Sequence, residues 1–370
     1  MRLELHDVRR SRFAGGVGSI VGGAVIDDDG FDGGDAVDLL RNVAKRLCDR
    51  RFFVEGGDLN DKLHAVRVSV IMPVERIGGD AERAIESVLR QEAPFPFELI
   101  LVSAAPLAIE FGTGVRNVIE PNRNPATRRN RAVSEAAGEI LAFIDDDAIA
   151  DAGWLATAVA YFDAHAEVLA IGGPDPAPDD STAAELISET LLATPLIGSG
   201  LACHENRRGI FAIRSASDVA LVNLCIRRSA FRGFDEAIGY IGEDTSLIAS
   251  LLPHVIYHSG VRVFHRRRAF PGPYLRQRWR YRVKTGEMLA RRAAAYSKNL
   301  KIKAFLLVGA IAIIAAPITI VPYYVFTLIL GTRTTRLPMR YWPMLPFAFA
   351  AHHTVYFGGI VWGWIRTKLR

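Results

Sequence analysis

At 370 residues, half of them apolar, the chain can build one large domain with extensions or two domains. Forty-five Lys and Arg against 40 Asp and Glu leave a formal net charge of +5. The excess gathers near the C-terminal apolar segments, which points to a membrane surface and argues against nucleic acid as a partner. The three cysteines, Cys48, Cys203 and Cys225, have neither disulfide-framework nor metal-like spacing, so reduced core thiols and a cytosolic face are expected.

Residues 1–65 read as an N-terminal accessory segment. There is no uninterrupted apolar run of the secretory type. The glycines from Gly15 to Gly23 lack the third glycine of a dinucleotide loop. Asp27 to Asp35 reads as solvated loop, and Asp38 to Leu47 as a short helix.

From residue 66 the pattern alternates. Val68–Val74 reads as a strand, and Ala81, Ala84, Ile85, Val88 and Leu89 recur at helical spacing. Glu98–Val102 and Val115–Ile119 are strands, Ala126–Ala137 a helix, and Glu139–Ile144 the fourth strand. A helix at Trp154–Phe162 and a strand at Val168–Gly172 follow. Pro174–Asp180 is a loop, Asp218–Arg227 a strand, and Thr245–Leu252 a helix. Alternation of this kind implies βαβ units and a mostly parallel sheet within a catalytic domain spanning 66–270.

Residues 271–303 carry an arginine-rich amphipathic segment. Beyond it, Ala304 to Leu330 contains 27 residues without Asp, Glu, Lys or Arg. A helix of that length is about 40 Å long, against a hydrocarbon core of roughly 30 Å. Tyr341 to Ile365 is a second uncharged stretch, with Trp342, Trp362 and Trp364 near its ends. Residues 304–370 are therefore expected to form a transmembrane helical hairpin. Arg291, Arg292, Lys298, Lys301 and Lys303 before it and Arg366, Lys368 and Arg370 after it place both ends in the cytoplasm, although the connecting loop also carries Arg333, Arg336 and Arg340. His352 and His353 mark either a functional polar spot in the second span or imidazoles hydrogen-bonded to the other helix.

The chemistry centres on Asp145-Asp146-Asp147, at the carboxyl end of the fourth strand, where open α/β sheets bind ligands. Asp145 and Asp147 can hold a hard divalent cation and through it a diphosphate. Asp146 is expected to turn away or to cap the next helix, and the competing reading of the triplet is an acidic turn. Glu243-Asp244 opens an apolar helix, as either a helix cap or a catalytic pair with Asp244 as base. His265 is a candidate third metal ligand before Arg266, Arg267 and Arg268, which could bind diphosphate or lipid headgroups. Gln277, Arg280 and Tyr281 share one helix face, on the acceptor side or simply on a membrane-lying helix.

Taken in order, Val68-Ser69-Val70-Ile71-Met72-Pro73-Val74, Arg129-Asn130, Asp145 to Asp147, Gly233-Phe234-Asp235-Glu236, Glu243-Asp244 and His265 resemble the motifs of family-2 glycosyltransferases over about residues 66–290. The resemblance implies a GT-A fold, a Rossmann-like mixed sheet flanked by helices, with a nucleotide-diphosphate sugar as donor and Mg²⁺ or Mn²⁺ as cofactor. Pro73, Val74, Arg129, Asn130, Asp145 and Asp146 would then contact the nucleotide. Asp147 would ligate the metal, with Asp145 and His265 as further ligands. Asp244 would be the base of an inverting displacement, with Glu243 beside it. Gln277, Arg280 and Tyr281 resemble the family's Gln-x-x-Arg-Trp motif, with Tyr281 in place of the Trp, near acceptor and diphosphate. The second strand ends Val102-Ser103-Ala104-Ala105 and lacks the usual base-reading acid, so the donor base stays open.

These features lead to an inner- or plasma-membrane enzyme with a cytoplasmic catalytic domain. Its acceptor would be a lipid-linked sugar or another envelope glycan precursor, and other envelope-biosynthesis proteins its partners. The competing readings are a metal-dependent nucleotide-sugar pyrophosphatase or nucleotidyltransferase, and a degenerate membrane scaffold.

Overall fold

The computed structural model describes residues 20–21, 24–25, 66–107, 114–238, 241–291, 307 and 316–369. The chain divides into two compact units, Met1–Arg50 with Ala108–Gly112 and Arg51–Leu107 with Thr113–Arg370. In the first, Ile20–Val21 pairs antiparallel with Ala24–Val25. The other features expected before residue 66, from the glycine run to the helix at Asp38–Leu47, lie outside the described residues.

The second unit is built on an eight-stranded mixed sheet. Strand β1 (Val68–Pro73) is central and parallel to both β2 (Phe97–Ser103) and β4 (Ile140–Phe143), with Val70 level with Leu99 and Ala142. Strand β3 (Val115–Ile119) extends the parallel half. Helices α1 (Gly79–Leu89) and α2 (Pro125–Glu135) are the crossovers, and α2 is capped by the Asn124 side chain and opened by Pro125. Beyond β4 come β6 (Ala170–Gly172), β7 (Ile210–Ala212), β8 (Leu224–Arg227) and β9 (Val255–His258), giving the order β3-β2-β1-β4-β8-β6-β9-β7. Strand β8 is antiparallel to both neighbours, so the sheet is less parallel than the alternation suggests.

A buried staple fixes the parallel half. Glu98 accepts from Ser69 Oγ at 2.6 Å and from Ala137 N at 2.7 Å, and Ser69 Oγ accepts from Gly138 N at 2.8 Å. A Cβ on Gly138 would stand 2.4 Å from Ser69 N, so only glycine admits this approach at the entry to β4.

Two local differences from the sequence reading have clear causes. The strand expected over Asp218–Arg227 is confined to its last four residues. Before it, Ser215 and Asp218 close a capping box on a 3₁₀ turn, and a second such turn covers Leu221–Asn223. Buried Asn223 accepts from Trp154 Nε1 at 2.9 Å and donates to Pro174 O and Val261 O, which removes the segment from the ladder. Helix α3 (Trp154–Ala164) forms where one was expected, and an additional helix, α4 (Ala183–Ala193), opens with a Thr182–Glu185 capping box that is visible in the sequence.

Among the described residues, three further helices follow the sheet: α6 (Gly272–Ala290), α7 (Ala316–Thr334) and α8 (Leu345–Lys368). Among the described residues one helical stretch, Met339–Lys368, is long and apolar enough to cross a membrane by length and composition. Most of the first half of the other expected span lies outside the described residues. The segment joining α7 to α8 is bonded to the catalytic sheet's own helix and loop. Thr335 Oγ1 meets Thr190 Oγ1 at 2.6 Å, and Arg336 donates to Asp179 at 2.7 Å. Leu337, Leu345 and Phe349 share a buried cluster with Ile187, Leu191 and Tyr274. The expected hairpin would have placed this segment across the bilayer from the catalytic domain. The paired histidines have the structural role: His352 Nδ1 lies 2.7 Å from Tyr274 OH, and His353 lies 2.8 Å from Tyr323 OH and 2.6 Å from Ile197 O.

Helices α6 and α8 touch backbone to backbone. A Cβ on Gly363 would stand 2.0 Å from Val283 O. Gly363→Ala should therefore force the helices apart and cost about 1–3 kcal/mol, read as a lower melting temperature in detergent. Gly78→Ala, where a Cβ meets nothing within 4 Å, is the control and should leave the melting temperature nearly unchanged.

Candidate active site

The backbone bond from Ile144 N to Ile71 O is the last of the β1–β4 ladder, after which Asp145 to Asp147 leave the sheet. The chain then forms β5 (Ala148–Ala150), which pairs antiparallel with β10 (Val263–His265), with His265 level with Ala148. Arg266 N also reaches Asp147 O at 3.4 Å. This small ladder brings the acidic triplet beside the His265–Arg268 run. His265 Nε2 lies 3.3 Å from Asp147 Oδ1, and Arg268 lies 3.6 Å from Asp147 Oδ2.

Behind His265 lies a buried ionic layer. Arg267 donates to Glu189 at 2.7 Å and to Asp175 Oδ1 at 3.0 Å, and it also bonds Asp175 O. Asp175 Oδ2 faces His265 Nδ1 at 3.9 Å and His204 Nε2 at 3.7 Å. Burial opposes charge on Asp175 and on Arg267, yet their mutual attraction wins: Asp175 is held far below the carboxylate range and Arg267 is raised. Burial likewise opposes the His265 imidazolium, but bonding to Asp147 and Asp175 outweighs it and raises His265 to about 9. The same contact holds Asp147 below its ordinary range, against its own burial. Burial pushes His204 down to about 3. Asp175, Cys203 and His204 place ligand-type atoms within 4.8 Å of one another. Arg267 already neutralises Asp175, and burial raises the Cys203 thiol, so these three form a polar core around the ion pair. Sequence reasoning missed Asp175, Glu189, His204 and the role of Arg267.

On the other flank Arg129 bridges two acids, donating to Asp145 Oδ1 at 3.1 Å and to Glu243 Oε1 at 3.2 Å. Gly242, at φ 101°, turns the chain into α5 (Glu243–Leu251). Glu243 is buried, and its Oε2 has no hydrogen-bond partner among the described residues. Burial, then the adjacent Asp244 charge, raise Glu243 to about 7 despite Arg129. Asp244 Oδ1 accepts from Thr245 N at 2.6 Å and Thr245 Oγ1 at 3.2 Å, which orients the carboxylate and leaves Oδ2 as its other acceptor.

A cavity of about 140 Å³ is lined by Asp145, Asp147, His265, Arg268, Gln277 and Tyr281, among others. It gathers five of the expected site residues, from three separate segments. Arg278, buried with its guanidinium 5.1 Å from the Tyr281 ring, donates to Gln277 and so sets both side chains. Arg280 lies in an adjoining groove of about 820 Å³ that shares Arg268, Gln277 and Tyr281 and continues to Trp279 and Val355. Two carboxylates on one wall suit a divalent cation such as Mn²⁺, and His265, held as imidazolium by Asp147 and Asp175, would join them as a nitrogen ligand on losing its proton.

Three expectations need correction. Asp146, expected also to contact the nucleotide, is not on the cavity wall: it turns away without capping a helix and accepts from Glu75 N at 3.4 Å, and burial with the Asp147 charge raises it to about 6. Asn130 is not on the cavity wall. Its amide donates to Phe234 O and Glu236 and accepts from Phe234 N, which clamps the Gly233–Glu236 segment. Val74 is fully buried, so its side chain belongs to the core.

Residues 69–232 match the family described as Glycosyl transferase family 2. The protein is therefore an enzyme of the glycosyltransferase class, on a mixed α/β sheet. No curated protein matches the chain. Among solved structures it is similar to S. aureus TarS 1-349, with 14% identity and a TM-score of 0.41 over 80% of this chain and 90% of that one. It is also similar to the mannosyltransferase PcManGT from Pyrobaculum calidifontis, in complex with GDP-Man and Mn²⁺, with 19% identity and a TM-score of 0.45 over 88% and 94%. Similarities this low assign neither donor nor acceptor in this glycosyltransferase.

Arg267→Met should cost about 3–5 kcal/mol in chemical denaturation, because it strands Asp175 and Glu189 without their cation. Glu243 gives a pH signature. Its folded pKa, near 7, lies above the ordinary 4.5, so its favourable contribution is complete below about 4.5 and is lost as pH rises through 7. Glu243→Gln should accordingly gain about 1–3 kcal/mol over wild type between pH 5 and 8, measured as melting temperature against pH.

Proposed function

We propose that this glycosyltransferase moves a sugar, with inversion, from a nucleotide-diphosphate donor to an acceptor presented at a membrane. One observation carries the proposal: the carboxylate–imidazole wall of Asp145, Asp147 and His265 opens, through Arg268, Gln277 and Tyr281, into the basic and aromatic groove along α6 and α8. The first part suits a charged diphosphate, and the second an amphiphilic acceptor with an anionic head.

In the proposed reaction the acceptor hydroxyl attacks the anomeric carbon. The bond from that carbon to the diphosphate oxygen breaks, and its electron pair leaves with the nucleoside diphosphate. The hydroxyl proton passes to Asp244, whose carboxylate Thr245 orients. Burial makes Glu243 beside it harder to ionise, which limits repulsion, and Arg129 holds Asp145 in place. A bound divalent cation, Mg²⁺ or Mn²⁺, supplies neutralisation of the diphosphate charge, and Asp145, Asp147 and His265 would hold it. Arg268 adds a fixed positive charge at the same wall. Cytoplasmic orientation and other envelope-biosynthesis partners belong to this same proposal.

Thermal shift with a panel of nucleotide sugars, with and without Mn²⁺, tests the donor half. One nucleotide class should raise the melting temperature only with the cation present; no stabilisation by any donor sinks the reading. Asp244→Asn should keep that donor-dependent shift and lower kcat by roughly 10²–10⁴. Full turnover in Asp244→Asn would favour a pyrophosphatase, which needs no acceptor base.

A further inference from the structure

The packing of the C-terminal helices bears on how the enzyme meets a bilayer. Helices α6 and α8 run parallel and in register. Tyr274 meets His352, Trp279 meets Gly358, Val283 meets Gly363, and Gly286 meets Ile360 and Trp364. The approach is close enough that a Cβ on Gly286 would stand 2.1 Å from Ile360 O. Arg282 on α6 donates to Tyr356 OH at 2.7 Å, with its guanidinium 4.1 Å from that ring. The charged residues set around α6 therefore accompany α8 for most of its length: Arg276, Arg278, Arg280, Arg282, Lys284 and Glu287. If α8 crossed the hydrocarbon core, these charges would have to cross beside it, and charges at that depth are strongly disfavoured.

The start of α8 leads to the same conclusion. Thr335, Arg336 and Leu337, just before it, are fastened to Thr190, Asp179 and the α4 core. The helix thus begins against the catalytic unit. The outer surface of the α6–α8 pair has the composition of a headgroup layer. Trp279, Trp362 and Trp364 are exposed, and Trp279 and Trp362 line a groove of about 310 Å³ with Arg280, Lys284 and Arg366. Tryptophan settles at the bilayer interface, and clustered Arg and Lys attract anionic lipid. Phe347 is also exposed on α8, as are Ile320, Val321 and Phe326 on α7.

We propose that α8 lies along an anionic bilayer surface, paired with α6, and does not cross the bilayer. The occupant of the tryptophan–arginine face is then a lipid headgroup layer. This rests on the reading of an enzyme that works at a membrane, and it replaces a spanning second helix with a surface-lying one.

Single cysteines test it in the full chain, in sealed vesicles of known orientation. Cys48 is replaced by serine, while Cys203 and Cys225 stay because they are buried. Glu167→Cys reports the catalytic side, Met339→Cys the segment before α8, and Leu369→Cys its far end; all three positions are exposed. A membrane-impermeant maleimide should label all three from one side. Labelling of Met339→Cys or Leu369→Cys only from the side opposite Glu167→Cys overturns the proposal. A second measurement is flotation on phosphatidylcholine vesicles with and without phosphatidylglycerol. Arg366→Gln and Lys368→Gln should each weaken binding to the anionic vesicles by roughly fivefold, and raised salt should weaken it further. Flotation indifferent to both charge and salt would also overturn it. Donor-induced stabilisation in detergent depends on neither result, so failure here is distinguishable from failure of the catalytic reading.

Discussion

A carboxylate as deeply buried as Asp175 survives only with a cation at contact distance, and Arg267 supplies that cation while also satisfying Glu189 on α4. The pair joins three parts of the chain: the loop after β6, helix α4, and the run that follows β10. Because Arg267 is two residues beyond His265, fixing the guanidinium fixes the imidazole, and the imidazole fixes Asp147. The outer wall of the cavity is thus held from behind by charges that no solvent reaches. The β5–β10 ladder sets the backbone of this segment, and the pair sets the side chains it presents.

Much of the sheet was legible because its strands are short apolar runs ended by breakers: Val115–Ile119 agrees residue for residue, and Val68–Pro73 and Phe97–Ser103 agree within a residue or two. Legibility failed where a buried polar side chain decided the backbone. Asn223 has an ordinary neighbourhood in sequence, and nothing local announces that its amide will bind Trp154, Pro174 and Val261 at once. The site divides the same way. Asp145 and Asp147 stood out as acids at the end of an apolar strand, and His265 as the end of an apolar run. Asp175 sat in a Pro- and Asp-rich stretch that reads as solvated loop, and the partner that buries it lies 92 residues away. Residues such as Asn130 were right in position and wrong in role, since a motif fixes where an amide sits but not which bonds occupy it.

The C-terminal third shows a related limit. Hydropathy reports length and composition, and by those measures Met339–Lys368 qualifies as a span. It cannot report that Gly359 and Gly363 admit an arginine-rich neighbour along the same helix. Small residues at a helix contact let backbones approach, and here the approach brings a charged helix against an apolar one. The partner of α8 has to be known before its environment can be.

Arg129 is shared between Asp145, just beyond β4, and Glu243, at the start of α5. A single guanidinium cannot serve two carboxylates at full strength. Whatever changes the charge around Asp145 changes the hold on Glu243, and linkage makes the influence equal in the opposite direction. The two acids are therefore not electrostatically independent. They are the two ends of one balance, with a buried cation at the pivot, through which a change of charge at one end can register at the other without any movement of the backbone.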